Sequence, residues 1–208
     1  MPDREQVLSN VRAALGRRVG QPAPGPPPSR IVVPQWSREE RIRRFSENFR
    51  GETFVAPSAD EARDFVAEKI DGCETIASKD EFLRDLGLVN LPDVRVNVDD
   101  PHELRLLCAA AGAGLTGATY AIADPGALAV LAGNEEERLI SLLPPRHVAV
   151  LPAHRVLTSL DELFAVLPDP ALESSSLVLI GGPSRTGDIE MSLTLGVHGP
   201  REVYVVIV

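Results

Sequence analysis

From Trp36 to the C-terminus, short apolar runs, each the length of one strand, alternate with stretches whose apolar side chains recur at helical spacing. Such alternation admits few folds, because each helix must cover the strands it joins and the strands must lie side by side, mostly parallel. Ser37 to Arg50 reads as helix, Glu52 to Ala56 as extended, and Ser58 to Ile70 as a helix opened by a Ser58 and Glu61 capping pair. Cys73 to Ala77 reads as strand, Lys79 to Leu86 as helix and Val94 to Val98 as strand. Asp100, Pro101 and Glu103 put a cap, a first-position proline and an acid where a helix start favours them, and that helix runs through Ala111. Tyr120 to Ala123, Ala127 to Leu131, His147 to Leu151, Leu177 to Ile180 and Val203 to Ile207 read as apolar strands. The expected fold is α/β, an open, mostly parallel sheet flanked by helices, with an antiparallel hairpin inside it at Asp124, Pro125 and Gly126.

The N-terminal part is of another kind. Val7, Leu8, Val11 and Leu15 share one face of an amphipathic helix over Asp3 to Arg18. Pro22, Pro24, Pro26, Pro27 and Pro28 follow, a composition for an extended tether rather than a helix or central strand. Residues 1–35 are therefore expected as an amphipathic helix with a proline-rich tether, and residues 36–208 as a single α/β domain. The helix either packs on its own domain or frays, or it docks a partner.

Composition excludes several classes of function. The net charge of −9 leaves no basic stripe for a phosphate backbone, and the arginines between Arg38 and Arg50 are interleaved with Glu39, Glu40 and Glu47. No apolar run approaches the ~20 residues of a membrane span, and MPDREQVL lacks the apolar core of a signal peptide. A cytoplasmic protein is expected. Cys73 and Cys108 form no C-x-x-C pair and supply neither a disulfide framework nor the ligands of an iron–sulfur cluster, so both are read as buried small hydrophobes and no metal site is expected.

Gly112, Gly114 and Gly117 satisfy G-x-G-x-x-G, the dinucleotide fingerprint, but they follow a helix and lead into a strand. The fingerprint needs the reverse order, with a helix N-terminus to hold the pyrophosphate. The glycines read instead as a helix C-cap with Gly112 or Gly114 left-handed, or as a place where Thr116 and the Gly117 amide line a pocket.

Three clusters hold candidate ligand-binding residues. Thr116, Gly117, Asp124 and Gly126 form the first; an Asp in a sharp turn either bonds its own backbone or stands at a strand end facing a cleft. The second is the charged run Asn134, Glu135, Glu136, Glu137 and Arg138, where the glutamates read as a solvated face and Asn134 and Arg138 as anion ligands.

The third and densest is Gly181 to Pro200. Backbone amides after a strand, the hydroxyls of Ser184 and Thr186, and the planar fork of Arg185 have the makings of a carboxylate or phosphate cradle. Asp188 and Glu190 are either first-turn caps or catalytic acids and bases. His198 either satisfies last-turn carbonyls or serves as a general acid–base. Ser174 to Ile180 and Val203 to Val208 read as parallel neighbours, which require a crossover. A short buried helix is expected between them, although Ile189, Met191, Leu193 and Leu195 alternate at period two.

GLTGATYAIADPGALAV, RLISLLPPRHVAVLP, GGPSRTGDIE and GVHGP, in that order, resemble the lactate utilization protein C family, whose unit is the LUD domain. The resemblance covers roughly Phe45 to Val208. It implies a fold like that of glucosamine-phosphate isomerase, ribose-phosphate isomerase and the coenzyme A transferases, to which the tethered N-terminal helix reads as an appendage. It also implies a part in oxidising L-lactate to pyruvate alongside two partners that carry iron–sulfur clusters, with no cofactor in this chain.

Where similar proteins carry Thr or Ser after the Asp-x-Gly turn and an acid at the end of the next strand, this chain has Ala127 and Leu131. An acyl-forming carboxylate has no candidate on that strand, and Glu135 and Glu136 lie on the loop beyond it. The expected function is an accessory, non-redox component that binds a small anionic metabolite or docks its partners, with Thr116, Asp124, Arg138, Ser184, Arg185, Thr186 and His198 lining the cleft. The alternatives are a free-standing acyl- or phosphosugar-directed enzyme using Asp188 or Glu190 as base, and a purely partner-binding module.

Overall fold

A computed structural model of the chain describes residues 4–16, 34–96, 98–132, 136–174, 176–187 and 193–208. Backbone contacts divide the chain into Met1–Val32 and Val33–Val208. In the first unit, α1 (Arg4–Ala14) has Glu5 in its first turn, Arg12 in its last, and left-handed Gly16 beyond its end.

The second unit begins with α2 (Arg38–Asn48), β1 (Glu52–Val55), α3 (Ala59–Ile70), β2 (Thr75–Ala77), α4 (Glu81–Asp85) and β3 (Val94–Arg95). It continues with α5 (Pro101–Ala110), β4 (Ala113–Gly117), β5 (Tyr120–Asp124), β6 (Ala127–Ala132), α6 (Glu136–Leu142) and β7 (Arg146–Leu151). Last come β8 (Val156–Ser159), α7 (Leu160–Val166), α8 (Pro170–Glu173), β9 (Ser176–Ile180), β10 (Arg185–Gly187), β11 (Leu193–Leu195) and β12 (Glu202–Ile207).

The helix starts follow from local chemistry. The Ser37 hydroxyl accepts from the Glu40 amide and the Ser58 hydroxyl from the Glu61 amide, each at 3.2 Å. Asp80 and Asp100 accept at 2.8 Å from the amides of Phe82 and His102. Each bond satisfies a backbone donor that the first helical turn leaves without a partner.

A six-stranded, wholly parallel sheet runs β1-β12-β7-β4-β2-β3. On one face Leu115, Val148, Val150 and Val206 pack against Ala62, Val66 and Ile70 of α3 and Leu83 of α4. On the other, Ala149, Leu151, Val205 and Ile207 meet Leu128 and Val130 of a second sheet and Phe45 of α2. That second sheet, ordered β8-β5-β6-β9, is covered on its far side by Leu163 of α7. The α/β class with a mostly parallel sheet flanked by helices is thus observed.

Three expectations change. The hairpin at Asp124, Pro125 and Gly126 forms, but β5 and β6 belong to the second sheet. Strands β9 and β12 are not neighbours: β9 pairs antiparallel with β6, whereas β12 lies between β1 and β7. No crossover helix is therefore required between them, and the expected buried helix is replaced at Leu193–Leu195 by β11, antiparallel to β10. Period two was the better signal because a hairpin, not a parallel return, follows Gly181 and Gly182. The crossover that parallel pairing demands lies instead between β7 and β12, where the chain builds β8 and β9.

Candidate functional site

Asn48 closes α2, buried Phe49 caps it in an extended conformation, and Arg50 emerges beyond. Two glycine segments press against this helix end. A Cβ on Gly126 (φ +80) would lie 2.5 Å from the Asn48 carbonyl carbon, and one on Gly182 (φ +133) would lie 2.8 Å from the Arg50 Cβ. Both glycines adopt backbone conformations that side chains disfavour and permit a contact that side chains would block. The Arg50 amide donates to the Gly181 carbonyl at 3.2 Å, and Asn48 Nδ2 donates to the Ala123 carbonyl at 2.9 Å.

Between these segments opens a cleft of about 360 Å³, lined by Asn48, Arg50, the turn from Pro125 to Ala127 and the stretch Gly181 to Pro183 with Arg185. Both arginines are exposed, and neither makes an ion pair among the described residues. Arg43 and Arg44 differ: they bond Glu40 and hold its carboxyl at about 2, well below the usual carboxylate range. Two guanidiniums in one cleft repel unless an anion lies between them. The carbonyl end of α2 opposes an anion by about 0.3–1 kcal/mol, whereas a hydrogen bond to a charged group contributes about 1.5–3 kcal/mol. Two planar forks are an arrangement that can hold a carboxylate or phosphate through paired hydrogen bonds, each weakened by solvent where the side chain is exposed.

Of the sequence-predicted ligand residues, Gly126 and Arg185 line this cleft. Asp124 ends β5 beside the turn, exposed and opposite Ser159. Ser184 organises the following loop: its amide donates to the Pro200 carbonyl at 2.8 Å, its carbonyl accepts from Gly196 at 3.0 Å, and its hydroxyl oxygen accepts from the His198 amide at 3.1 Å. His198 is exposed. Thr186 lies in β10 opposite Thr194, so the loop after β9 offers no helix N-terminus at Ser184 to Gly187, contrary to the expected cradle. Arg138 is exposed on α6. Asn134, Asp188 and Glu190 lie outside the described residues, as does Glu135.

Thr116 and Gly117 belong to another environment. Thr116 is fully buried in β4, its Oγ1 hydrogen-bonded at 2.9 Å to Nε2 of His147 on β7. His147 is itself fully buried; burial pushes its pKa down to about 4, and its Nδ1 has no partner among the described residues. The glycines there are not left-handed caps, since only Gly16, Gly72, Gly87, Gly126, Gly182 and Gly196 among the described glycines have positive φ. Close packing explains them instead: a Cβ would lie 2.0 Å from the Ile140 carbonyl oxygen at Gly114 and 2.0 Å from Asp80 Oδ2 at Gly117. Helix α5 precedes β4, the order that excludes the dinucleotide fingerprint. Cys108 is buried as expected, but Cys73 is half-buried, with its sulfur 3.6 Å from Arg146 Nη1.

Sequence reasoning missed Asn48, Arg50 and His147. Arg50 follows the paired arginines of α2 in an interleaved run of charges, and only Asn48 and Gly51 around it signal a helix end. His147 stands in an apolar strand, and nothing local distinguishes a histidine facing a hydroxyl from one facing solvent. Among the described residues no group of three His, Cys, Asp or Glu side chains is placed to hold a metal ion, and no helix is long and apolar enough to cross a membrane.

Architecture and cleft together define a layered α/β protein with an arginine- and glycine-walled cleft. Residues 40–208 match the LUD domain, and the chain belongs to that family. It is 30% identical over 223 residues to the lactate utilization protein C of Halalkalibacterium halodurans, covering 98% of this chain and 97% of the relative. The lactate utilization protein C of Anoxybacillus flavithermus is 28% identical over 217 residues, 98% of both chains. The crystal structure of a DUF162 family protein from Deinococcus radiodurans superposes with a TM-score of 0.62 over 83% of this chain and 99% of that one, at 18% identity, a likeness of fold.

Proposed function

We propose that this protein is a cytoplasmic accessory component, without redox centres of its own, of a system that oxidises L-lactate to pyruvate with iron–sulfur partner proteins. In this reading the cleft between Asn48, the Pro125 turn and Arg185 binds a small anionic metabolite. The observation that carries it is the pair of guanidiniums, Arg50 and Arg185, facing one glycine-walled cleft without a carboxylate partner among the described residues. Near full-length similarity to proteins named for lactate utilisation gives the anion its chemical family.

Kinship with sugar-phosphate isomerases and coenzyme A transferases is, in this reading, a matter of the layered core. Strand β6 supplies no carboxylate for acyl transfer: Ala127, Leu128 and Val130 are buried, and the Leu131 amide is held by the Thr119 hydroxyl at 3.1 Å. Deleting the gene is expected to abolish growth on L-lactate and spare growth on glucose. Restoring the intact gene, but not one carrying both Arg50→Gln and Arg185→Gln, should return growth; normal growth of the deletion strain on lactate overturns the proposal.

A further inference from the structure

Asn48 is the neutral polar side chain on a cleft otherwise walled by cations, glycines, prolines and Ala127. A primary amide carries two donor hydrogens on nitrogen and an acceptor oxygen, and it selects partners according to which end is already engaged. Here Nδ2 donates to the Ala123 carbonyl at 2.9 Å. The reversed amide would set two acceptor oxygens against each other, so the backbone at the end of β5 fixes its sense. Oδ1 accepts no hydrogen bond among the described residues and is the atom left to meet a ligand.

We propose that the cleft selects a 2-hydroxy carboxylate over the corresponding 2-oxo acid, with Asn48 as the selecting residue. The inference rests on the reading of the cleft as an anion site and adds the identity of the second contact. Arg50 and Arg185 are pure donors and take the carboxylate, while Asn48 Oδ1 is a pure acceptor and takes the proton of the adjacent hydroxyl. A 2-oxo acid presents a carbonyl oxygen there, acceptor against acceptor, and the simple carboxylate presents nothing. Discrimination of this kind is steep because the wrong ligand leaves polar groups unpaired. The volume of about 360 Å³ and the apolar wall of Pro125, Ala127 and Pro183 leave room for the substituent on the hydroxyl-bearing carbon. Asn48 is no base, so the contact reads the ligand without transforming it, and occupancy follows the reduced acid rather than its oxidised product.

The test is calorimetric titration of the full chain with L-lactate, pyruvate, propionate and inorganic phosphate. L-lactate is expected to bind about tenfold more tightly than pyruvate or propionate. Asn48→Ala should remove that preference while both carboxylates still bind. The four-ligand series on the intact protein decides the matter even if the variant folds poorly. Equal affinities for the three carboxylates overturn the hydroxyl selection and leave the anion cleft standing. Phosphate binding tighter than any carboxylate overturns the selection as well. Binding of none of the four overturns the anion cleft itself.

Discussion

Thr116 Oγ1 and His147 Nε2 lie 2.9 Å apart on adjacent parallel strands, both residues wholly out of solvent. Thr116 and the imidazole share one hydrogen bond, while burial holds the ring neutral down to about pH 4. The unfolded chain takes up that proton near 6.5, so stability is complete above 6.5 and falls as pH drops from 6.5 to about 4. At about 1.4 kcal/mol per unit the loss approaches roughly 3 kcal/mol. Urea denaturation of the protein and of His147→Gln at pH 7.5 and 4.5 checks this. The advantage of the intact protein at pH 7.5 should shrink in acid, and parallel curves would remove His147 as the cause.

Thr116→Val keeps the shape of the side chain and deletes the hydroxyl. With Nδ1 already without a partner among the described residues, the change leaves both ring nitrogens unsatisfied. The expected loss is about 1–3 kcal/mol, read from the midpoint of urea unfolding. A change within a few tenths of a kcal/mol would mean that the hydrogen bond carries no weight in the core.

Gly114→Ala and Gly72→Ala separate close packing from backbone conformation. The first drives a methyl to 2.0 Å from the Ile140 carbonyl oxygen, a backbone atom of α6. About 2–3 kcal/mol of destabilisation is expected. At Gly72 (φ +68) nothing lies within 4 Å, so only the left-handed conformation is penalised, by about 1 kcal/mol. A larger loss at Gly72 than at Gly114 would contradict the contact between α6 and β4.

Arg50→Gln and Arg185→Gln should each weaken carboxylate binding by roughly tenfold or more. Both side chains are exposed and neither ion-paired among the described residues, so melting temperatures should hardly move. Raised ionic strength is expected to weaken binding by the intact protein more than by either variant. Unchanged affinity in both variants places the anion elsewhere.

Ser58→Ala removes the oxygen that accepts the Glu61 amide at 3.2 Å. A loss of about 1 kcal/mol is expected, measured by thermal unfolding. An effect near zero would mean that water replaces the cap.

By itself the sequence determined what is settled within a turn or two of chain. Ser37, Ser58, Asp80 and Asp100 mark helix starts because their side chains reach amides two or three residues ahead. Asp124, Pro125 and Gly126 mark a hairpin, and the order of α5 and β4 rules out a dinucleotide loop, again from neighbours in sequence. Tertiary structure alone decided which strands pair. An apolar run states that a strand is buried but not beside which partner, so β9 and β12 read alike in the sequence although they belong to different sheets. Strand β4 is not legible in the sequence because its glycines, which admit Ile140 and Asp80, look locally like a helix end. The cleft is the clearest case: Asn48 and Arg50 from the end of α2 meet Gly126 and Arg185 because two glycine turns allow the backbones to close. Proximity between segments so far apart in the chain is set by burial of the core they share, and no local pattern encodes it.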